Sequence, residues 1–203
     1  MIIRLELAPG EVVREDLLQD QLGIGRTPIR EALQRLARDQ LVVVVPRRGM
    51  FVASIDVAEL GVLYETRALM EPYAARLAAA RGTPAHWDAM AAALARARRR
   101  GVGTEELLDV DRICHEQMWA ASANRFLIDT LDMLYAQSHR LWHMYLAADT
   151  DMHGAVDEHE QILAALRAAD GERAAELVEA HVREFDTLIR AAVTAQLASP
   201  LGR

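Results

Sequence analysis

The sequence predicts a mostly α protein in two parts, with one small β-hairpin near the N-terminus and an all-helical bundle after it. Three observations predict this. Apolar residues recur at helical spacing through most of the 203 residues, and 52% hydrophobic content with only 5% aromatic suits a helical core. The β-branched run Leu41-Val42-Val43-Val44-Val45 favours strand, and Pro46-Arg47-Arg48-Gly49 turns it into Met50-Phe51-Val52. Beyond Ser54 the strand pattern disappears, and turn residues punctuate helical stretches at spacings that do not recur, which excludes a solenoid.

The elements follow in order. Asp16-Leu17-Leu18-Gln19-Asp20-Gln21-Leu22 reads as a short helix, and Gly23-Ile24-Gly25 as a tight turn. Thr27 is the expected N-cap of a second helix, with Pro28 at its first position, where the missing amide hydrogen costs nothing. At about 100° per residue, Ile29, Ala32, Leu33 and Leu36 share one arc of that helix, while Arg26, Thr27, Arg30, Gln34 and Arg38 share another. The hairpin comes next, with Arg47 and Arg48 at its tip. Two helices, a tight turn and a hairpin make a winged helix-turn-helix over 1–53, a unit that reads DNA. Arginine supplies the chemistry, because its guanidinium donates two parallel bonds to guanine, and a helix N-terminus offers amides to a phosphate. Arg26 and Arg30 sit where a recognition helix meets base edges.

Residues 54–58 are the expected hinge, and 59–203 the helical part. Helices are expected over about 57–80, 84–100, 104–121, 124–148, 151–169 and 172–196, separated by Gly82-Thr83-Pro84, Gly101-Val102-Gly103, Ala123-Asn124 and Asp170-Gly171. The run from Arg96 to Arg100 reads as a solvated helix end that complements the helix dipole.

Charge separates the two parts. Residues 1–53 carry 8 Arg against 7 acidic residues, whereas the whole chain has a formal charge of −7, so the acidic surface belongs to the helical part. A head this weakly charged implies a local basic patch and two copies acting together. The single cysteine, Cys114, rules out an internal disulfide and points to a reducing, cytoplasmic setting. No apolar run approaches the length of a membrane span.

Leu7-Ala8-Pro9-Gly10-Glu11, Gly25-Arg26-Thr27-Pro28-Ile29-Arg30-Glu31-Ala32-Leu33 and Pro46-Arg47-Arg48-Gly49 together resemble the DNA-binding domain of GntR-family bacterial transcription regulators. The rest is similar to the helical effector domain of the FadR-type branch, the FCD domain. The resemblance implies that Arg26, Thr27, Arg30, Arg48 and Gly49 touch operator DNA. Gly25 stands where the family usually has a serine, and Gln19 where a small apolar residue is usual. Family members also begin with a helix before the Leu7-Ala8-Pro9-Gly10 stretch. Met1 to Glu6 leave that helix missing or barely begun, which fits a start assigned too late, omitted residues, or a truncated domain whose apolar faces are partly exposed.

In the helical part, Asp111 and His115 are four apart and share one helix face. His159 and His181 lie at matching distances on either side of the turn at Asp170-Gly171, so an antiparallel hairpin sets them level. Three imidazoles and a carboxylate are a fitting donor set for Zn²⁺, Ni²⁺, Mn²⁺ or Fe²⁺. Spacing alone only suggests such a site. The resemblance to metal-binding FCD domains implies Asp111, His115, His159 and His181 as its ligands. Cys114 reads as a small core residue; His86, His139, His143 and His153 lack a spacing partner of this kind, with His153 near enough to His159 to stay in reserve.

By the same resemblance Arg67 faces an effector cavity, where its fork would bind an organic acid. An intrahelical pair with Glu71 is the competing reading. Asn124 also matches the family's ligand-binding position, although capping the next helix is the role the sequence favours for it. The expected protein is a homodimeric, metal-containing regulator that binds a short palindrome and senses a small carboxylate. Two other classes compete: a helical metalloenzyme using the His₃Asp site, and an interaction protein that no longer binds DNA. Against the enzyme stand the absence of an identifiable general base near the site and the purposelessness of a reading head.

Overall fold

The structure, a computed structural model, describes residues 1–146 and 152–198. Residues 147, 148 and 151, placed at helix ends by the sequence, lie outside the described residues. The chain forms two compact units, one of Met1–Val57 with Tyr135–Met144, the other of Ala58–Leu134 with Tyr145–Arg203.

In the first unit, α1 (Glu15–Leu22) ends at Gly23, which takes the left-handed conformation (φ 66°) that glycine adopts without strain. The chain then turns into α2 (Arg26–Arg38). The N-cap of α2 is Gly25 in extended conformation, so Thr27 lies inside the first turn. The helix starts earlier than expected because the first-turn amides have no helical acceptor, so Pro28 costs as little at the third helical position as at the first. Strands β1 (Val42–Val45) and β2 (Gly49–Val52) pair antiparallel, Val42 opposite Val52 and Val45 opposite Gly49. The segment before α1 joins this hairpin, with Val12 bridging Phe51 and Val13 N–H donating to the Met50 carbonyl at 2.8 Å.

Leu18, Ile29, Leu33, Leu41, Val42 and Val52 form the core of this unit, and the buried pair Ile29 and Leu33 lies on the apolar arc of α2. Residues 2–7 form turns. Beside them Ile3, Leu7, Leu22, Ala32 and Leu36 line an apolar groove of about 250 Å³. The last turns of α6 (Arg125–Tyr145) belong to this unit as well. There Gln137 donates to the Asp39 and Gln40 carbonyls at the end of α2 (3.2 and 3.3 Å), and the buried Arg140 donates to the Ala53 carbonyl.

The second unit follows a 3-10 turn at Val57–Glu59 with α3 (Leu60–Arg81), α4 (Pro84–Ala97) and α5 (Thr104–Ala121), then the first part of α6, α7 (His153–Arg167) and α8 (Gly171–Ala198). Helix α3 packs along α8 and also on α5, while α4 lies on α5 and α7. The α7–α8 hairpin forms as its spacing predicts. Helix α8 begins against α3 at Gly171, where an added β-carbon would meet the Arg76 backbone at an ordinary contact distance of 3.4 Å. Helix α4 ends at Ala97 rather than 100, and the following arginines pair across helices: Arg98 with Asp157 and with Glu160 (2.8 Å), Arg99 with Glu106 (2.9 Å). His86 closes the start of α4, its Nδ1 accepting from the Thr83 N–H at 3.1 Å. No described helix is long and apolar enough to cross a membrane.

Candidate metal centre and nucleic-acid interface

Helical period places four chemistry-bearing side chains inward. On α5 the buried face runs Leu107, Leu108, Asp111, Cys114, His115, Met118; on α7 it runs Val156, His159, Ile162, Leu163, Leu166; on α8, Val178, His181, Val182, Phe185. Apolar neighbours drive these stripes into the core and carry the polar residues with them. Each would be costly there alone, since a buried polar group without a partner loses its hydration for nothing.

They are not alone. Asp111, His115, His159 and His181 are all buried, and one ligand atom from each lies within 4.8 Å of all the others. Asp111 Oδ1 stands 3.9 Å from His115 Nε2, 3.7 Å from His159 Nε2 and 3.5 Å from His181 Nε2. The Nε2 atoms of His115 and His181 are 3.2 Å apart. Three rings thus aim the same nitrogen at one point beside one carboxylate oxygen. The apolar side of the cluster is closed by Met90, Cys114, Met118, Ile162 and Val178, which leave no room for a water molecule.

The far nitrogens are held as well. His159 Nδ1 is 2.8 Å from the Ala155 carbonyl oxygen one turn earlier, and His181 Nδ1 is 2.6 Å from Glu158 Oε2. At His159 the acceptor at Nδ1 keeps the proton there and leaves the Nε2 lone pair facing inward, the arrangement that metal-binding imidazoles require; at His181 the acceptor fixes the ring's orientation. His115 Nδ1 lies 2.8 Å from Oε2 of Glu71, a fully buried residue of α3.

Electrostatics agree with the geometry. Burial works against charge on Asp111, but the three surrounding imidazoles outweigh it and hold the carboxyl well below its usual range. Burial, reinforced by the neighbouring His181, lowers His159 to about 3 and keeps it neutral. Burial opposes charging of His181 too, yet hydrogen bonds to Asp111 and Glu158 overcome it and raise that imidazole to about 9. Glu71 is drawn down to about 2 because Arg67 and His115 outweigh its burial. Burial pushes the Cys114 thiol up, which makes it a core residue and a poor ligand.

The residues fit a divalent ion. His159 Nε2 is buried and has no hydrogen-bond partner among the described residues, and a cation at the point where the Nε2 atoms meet Asp111 would satisfy it. Three imidazoles and a carboxylate are borderline donors that suit Zn²⁺, Ni²⁺, Mn²⁺ or Fe²⁺. All four residues named from the sequence meet here. Sequence reasoning missed Glu71 and Glu158, whose carboxylates stand directly behind two of the rings; both are engaged with imidazole nitrogens.

The two residues expected at an effector have local partners. Arg67 is buried, its Nε 2.6 Å from Glu71 Oε1 and its guanidinium over the Tyr64 ring, so the intrahelical pair forms. The Asn124 side chain accepts from the Leu127 N–H at 3.4 Å and caps α6.

In the head, Arg26, Thr27, Arg30, Arg48 and Gly49 are all exposed. Arg47 and Gly49 take positive φ (64° and 105°), which folds the hairpin tip tightly and leaves both tip arginines in solvent. Arg26 and Arg30 share one acceptor: their Nε atoms each lie 3.2 Å from an oxygen of Glu15 on α1. These are exposed pairs, each worth about 0–1 kcal/mol, so a phosphate or a base edge can replace them at little cost.

Comparison with known proteins agrees with both units. The family described as bacterial regulatory proteins, gntR family, matches residues 1–52, and the FCD domain matches residues 62–184. The chain is 31% identical over 192 residues to the HTH-type transcriptional repressor GlaR of Escherichia coli (strain K12), covering 89% of this chain and 87% of that protein. It is 29% identical over 209 residues to the Nta operon transcriptional regulator of Aminobacter aminovorans, covering 96% and 93%. Among solved structures, E. coli McbR/YncC superposes with a TM-score of 0.81 at 22% identity, over 94% of this chain and 92% of that one.

Proposed function

The chain belongs to the GntR family of bacterial regulators, in the branch that carries an FCD domain, and from that premise we propose that it is a cytoplasmic, metal-containing repressor released or engaged by a small organic acid. It is a DNA-binding transcription regulator rather than an enzyme, as its relatives are. The observation that carries the proposal is the buried cluster of Asp111, His115, His159 and His181 inside the FCD unit. Repression is suggested by GlaR, which is named a repressor.

When bound, the ion supplies a positive charge in a low-dielectric core and open coordination positions for a carboxylate. The chain's own residues do the rest. The three imidazoles and Asp111 hold the ion. Arg67 supplies a guanidinium one residue-pair away, through Glu71, and in this reading it contributes to acid recognition together with Asn124. In the head, Arg26, Thr27 and Arg30 read base edges and phosphates while Arg48 and Gly49 of the wing touch the backbone, and the domain limits are 1–53, 54–58 and 59–203.

Two heads on a two-fold axis would bind a short palindrome, which offsets the modest charge of each. A homodimer also has a candidate surface: Val62, Leu69 and Tyr73, spaced seven and four apart on α3, are exposed along one face.

The test is thermal shift of metal-loaded protein against a panel of di- and hydroxycarboxylates. At least one acid should raise the unfolding temperature, and the rise should vanish after chelation. A panel that shifts loaded and stripped protein alike would remove the metal from acid recognition.

A further inference from the structure

The Arg67–Glu71 pair is an odd possession for a helix interior. An i,i+4 ion pair costs little on a surface, whereas here the two side chains are 2% and 0% exposed, and taking both charges out of water costs several kcal/mol unless other bonds compensate. Glu71 divides its oxygens between two partners. Oε1 lies 2.6 Å from Arg67 Nε on the same helix, and Oε2 lies 2.8 Å from His115 Nδ1 on α5. Arg67 is in turn braced by the Tyr64 ring, 5.4 Å from its guanidinium carbon.

We infer that Glu71 is a positioning residue for the metal site: anchored by Arg67, its carboxylate stands 2.8 Å behind His115 Nδ1 as the acceptor for that N–H and turns the ring's Nε2 towards Asp111. The inference rests on reading the four-residue cluster as a metal site. It assigns a function to a charged pair that intrahelical pairing alone does not explain. It also completes the set, since His159 and His181 already have the Ala155 carbonyl and Glu158 behind their Nδ1 atoms. Through this chain of contacts α3 reaches the ion without contributing a ligand. Were Glu71 free to rotate, both its oxygens could turn to Arg67 in a fork, and His115 would lose its partner. Holding the guanidinium by Nε at one oxygen leaves the other for the imidazole.

The experiment uses the full chain, with Co²⁺ and Zn²⁺ alone as probes. Three proteins are compared: wild type, Glu71→Gln, and the double variant Arg67→Met/Glu71→Leu. The double variant removes both charges together, so that no unpaired charge is left in the core and folding is preserved. Competition against a chelator gives affinity, and the visible absorption of bound Co²⁺ reports ligand geometry. The double variant should bind both ions about 10- to 100-fold more weakly, the usual effect of losing such a partner, with an altered Co²⁺ spectrum. Glu71→Gln keeps one acceptor oxygen for the two donors, Arg67 and His115, and should bind more weakly than wild type but more tightly than the double variant. A double variant with wild-type affinity and spectrum would overturn the inference. Folded wild-type protein that takes up neither ion would instead overturn the metal reading beneath it.

Discussion

The buried His₃Asp cluster and the reading head hold their key side chains in opposite ways. In the cluster, the functional atoms are buried and closely surrounded: each imidazole has an oxygen within 2.8 Å of its Nδ1 and Asp111 before it. In the head, Arg26 and Arg30 lie in solvent and share one half-buried carboxylate, Glu15. Burial makes geometry obligatory, because an unmatched polar group in a core is expensive. Exposure makes it provisional, since surface pairs are weak and a polyanion can outcompete them. The cluster is therefore set by its own packing, whereas the arginines of the head are free to exchange Glu15 for another anion.

Breaking the built site should have the largest effect. Protein purified without chelator should carry close to one divalent ion per chain by elemental analysis, and His159→Ala or His181→Ala should lose most of it. Removing one of four ligands also forfeits part of the folding energy that the ion supplies, so these variants should unfold at lower temperature. No metal in protein never exposed to chelator, and no uptake on titration, would return these histidines to the core.

The provisional site should respond more gently. Arg26→Ala or Arg30→Ala should weaken specific binding by about 1 to 3 kcal/mol if the side chain makes a bidentate base contact. Arg48→Ala should weaken specific and random duplexes alike, and gel-shift titration on both separates the two behaviours. Unchanged affinity in both the Arg26 and Arg30 variants would remove the recognition-helix assignment.

A pH effect sharpens the comparison, because only the buried site should show it. In the metal-free protein His181 is raised to about 9 and so carries a proton at neutral pH, whereas Asp111 is already ionised and His159 neutral. Metal must displace the His181 proton. Apparent Zn²⁺ affinity should therefore climb by about tenfold per pH unit from pH 7 towards 9, and flatten above that as His181 loses its proton unaided. A flat profile across this window would show that His181 carries no proton for the metal to displace. The smallest effect belongs to Glu15→Gln: with the carboxylate gone from beside two arginines, random-duplex affinity should rise by about a few-fold and the ratio of specific to random binding should narrow. Unaltered binding on both duplexes would mean the Glu15 pairs do not survive in solution.

Legibility in the sequence followed the same division. Asp111 and His115 declare themselves by their spacing of four, and His159 and His181 by their symmetry about Asp170-Gly171, because helical period and a short turn suffice to place them. Glu71 was hidden in plain view. Its neighbour Arg67 at i−4 already explains it, and its contact with His115 exists only once α3 and α5 pack. The start of α2 misled for a local reason. Thr27 is the better capping residue by type, yet Gly25 takes the extended conformation, and the Ile29 amide reaches its carbonyl at 3.3 Å. That Gln137 and Arg140 of α6 serve carbonyls of the first unit was not legible either, since nothing in helical periodicity says which neighbour a polar side chain meets.

The proposed regulator would couple an ion and an acid bound in the FCD unit to the way its heads hold DNA. Linkage then requires the DNA to change acid binding by the same factor, with couplings typically about 1 to 3 kcal/mol. The most direct measurement is calorimetric titration of an acid found by thermal shift into metal-loaded protein, with and without a duplex selected for tight binding, beside metal-stripped protein and Arg67→Ala. Duplex should alter acid affinity about 5- to 150-fold in loaded protein, and stripped protein should not bind the acid. Equal acid affinity with and without duplex, or equal affinity in all three proteins, would contradict this coupling and leave the ion a structural pin.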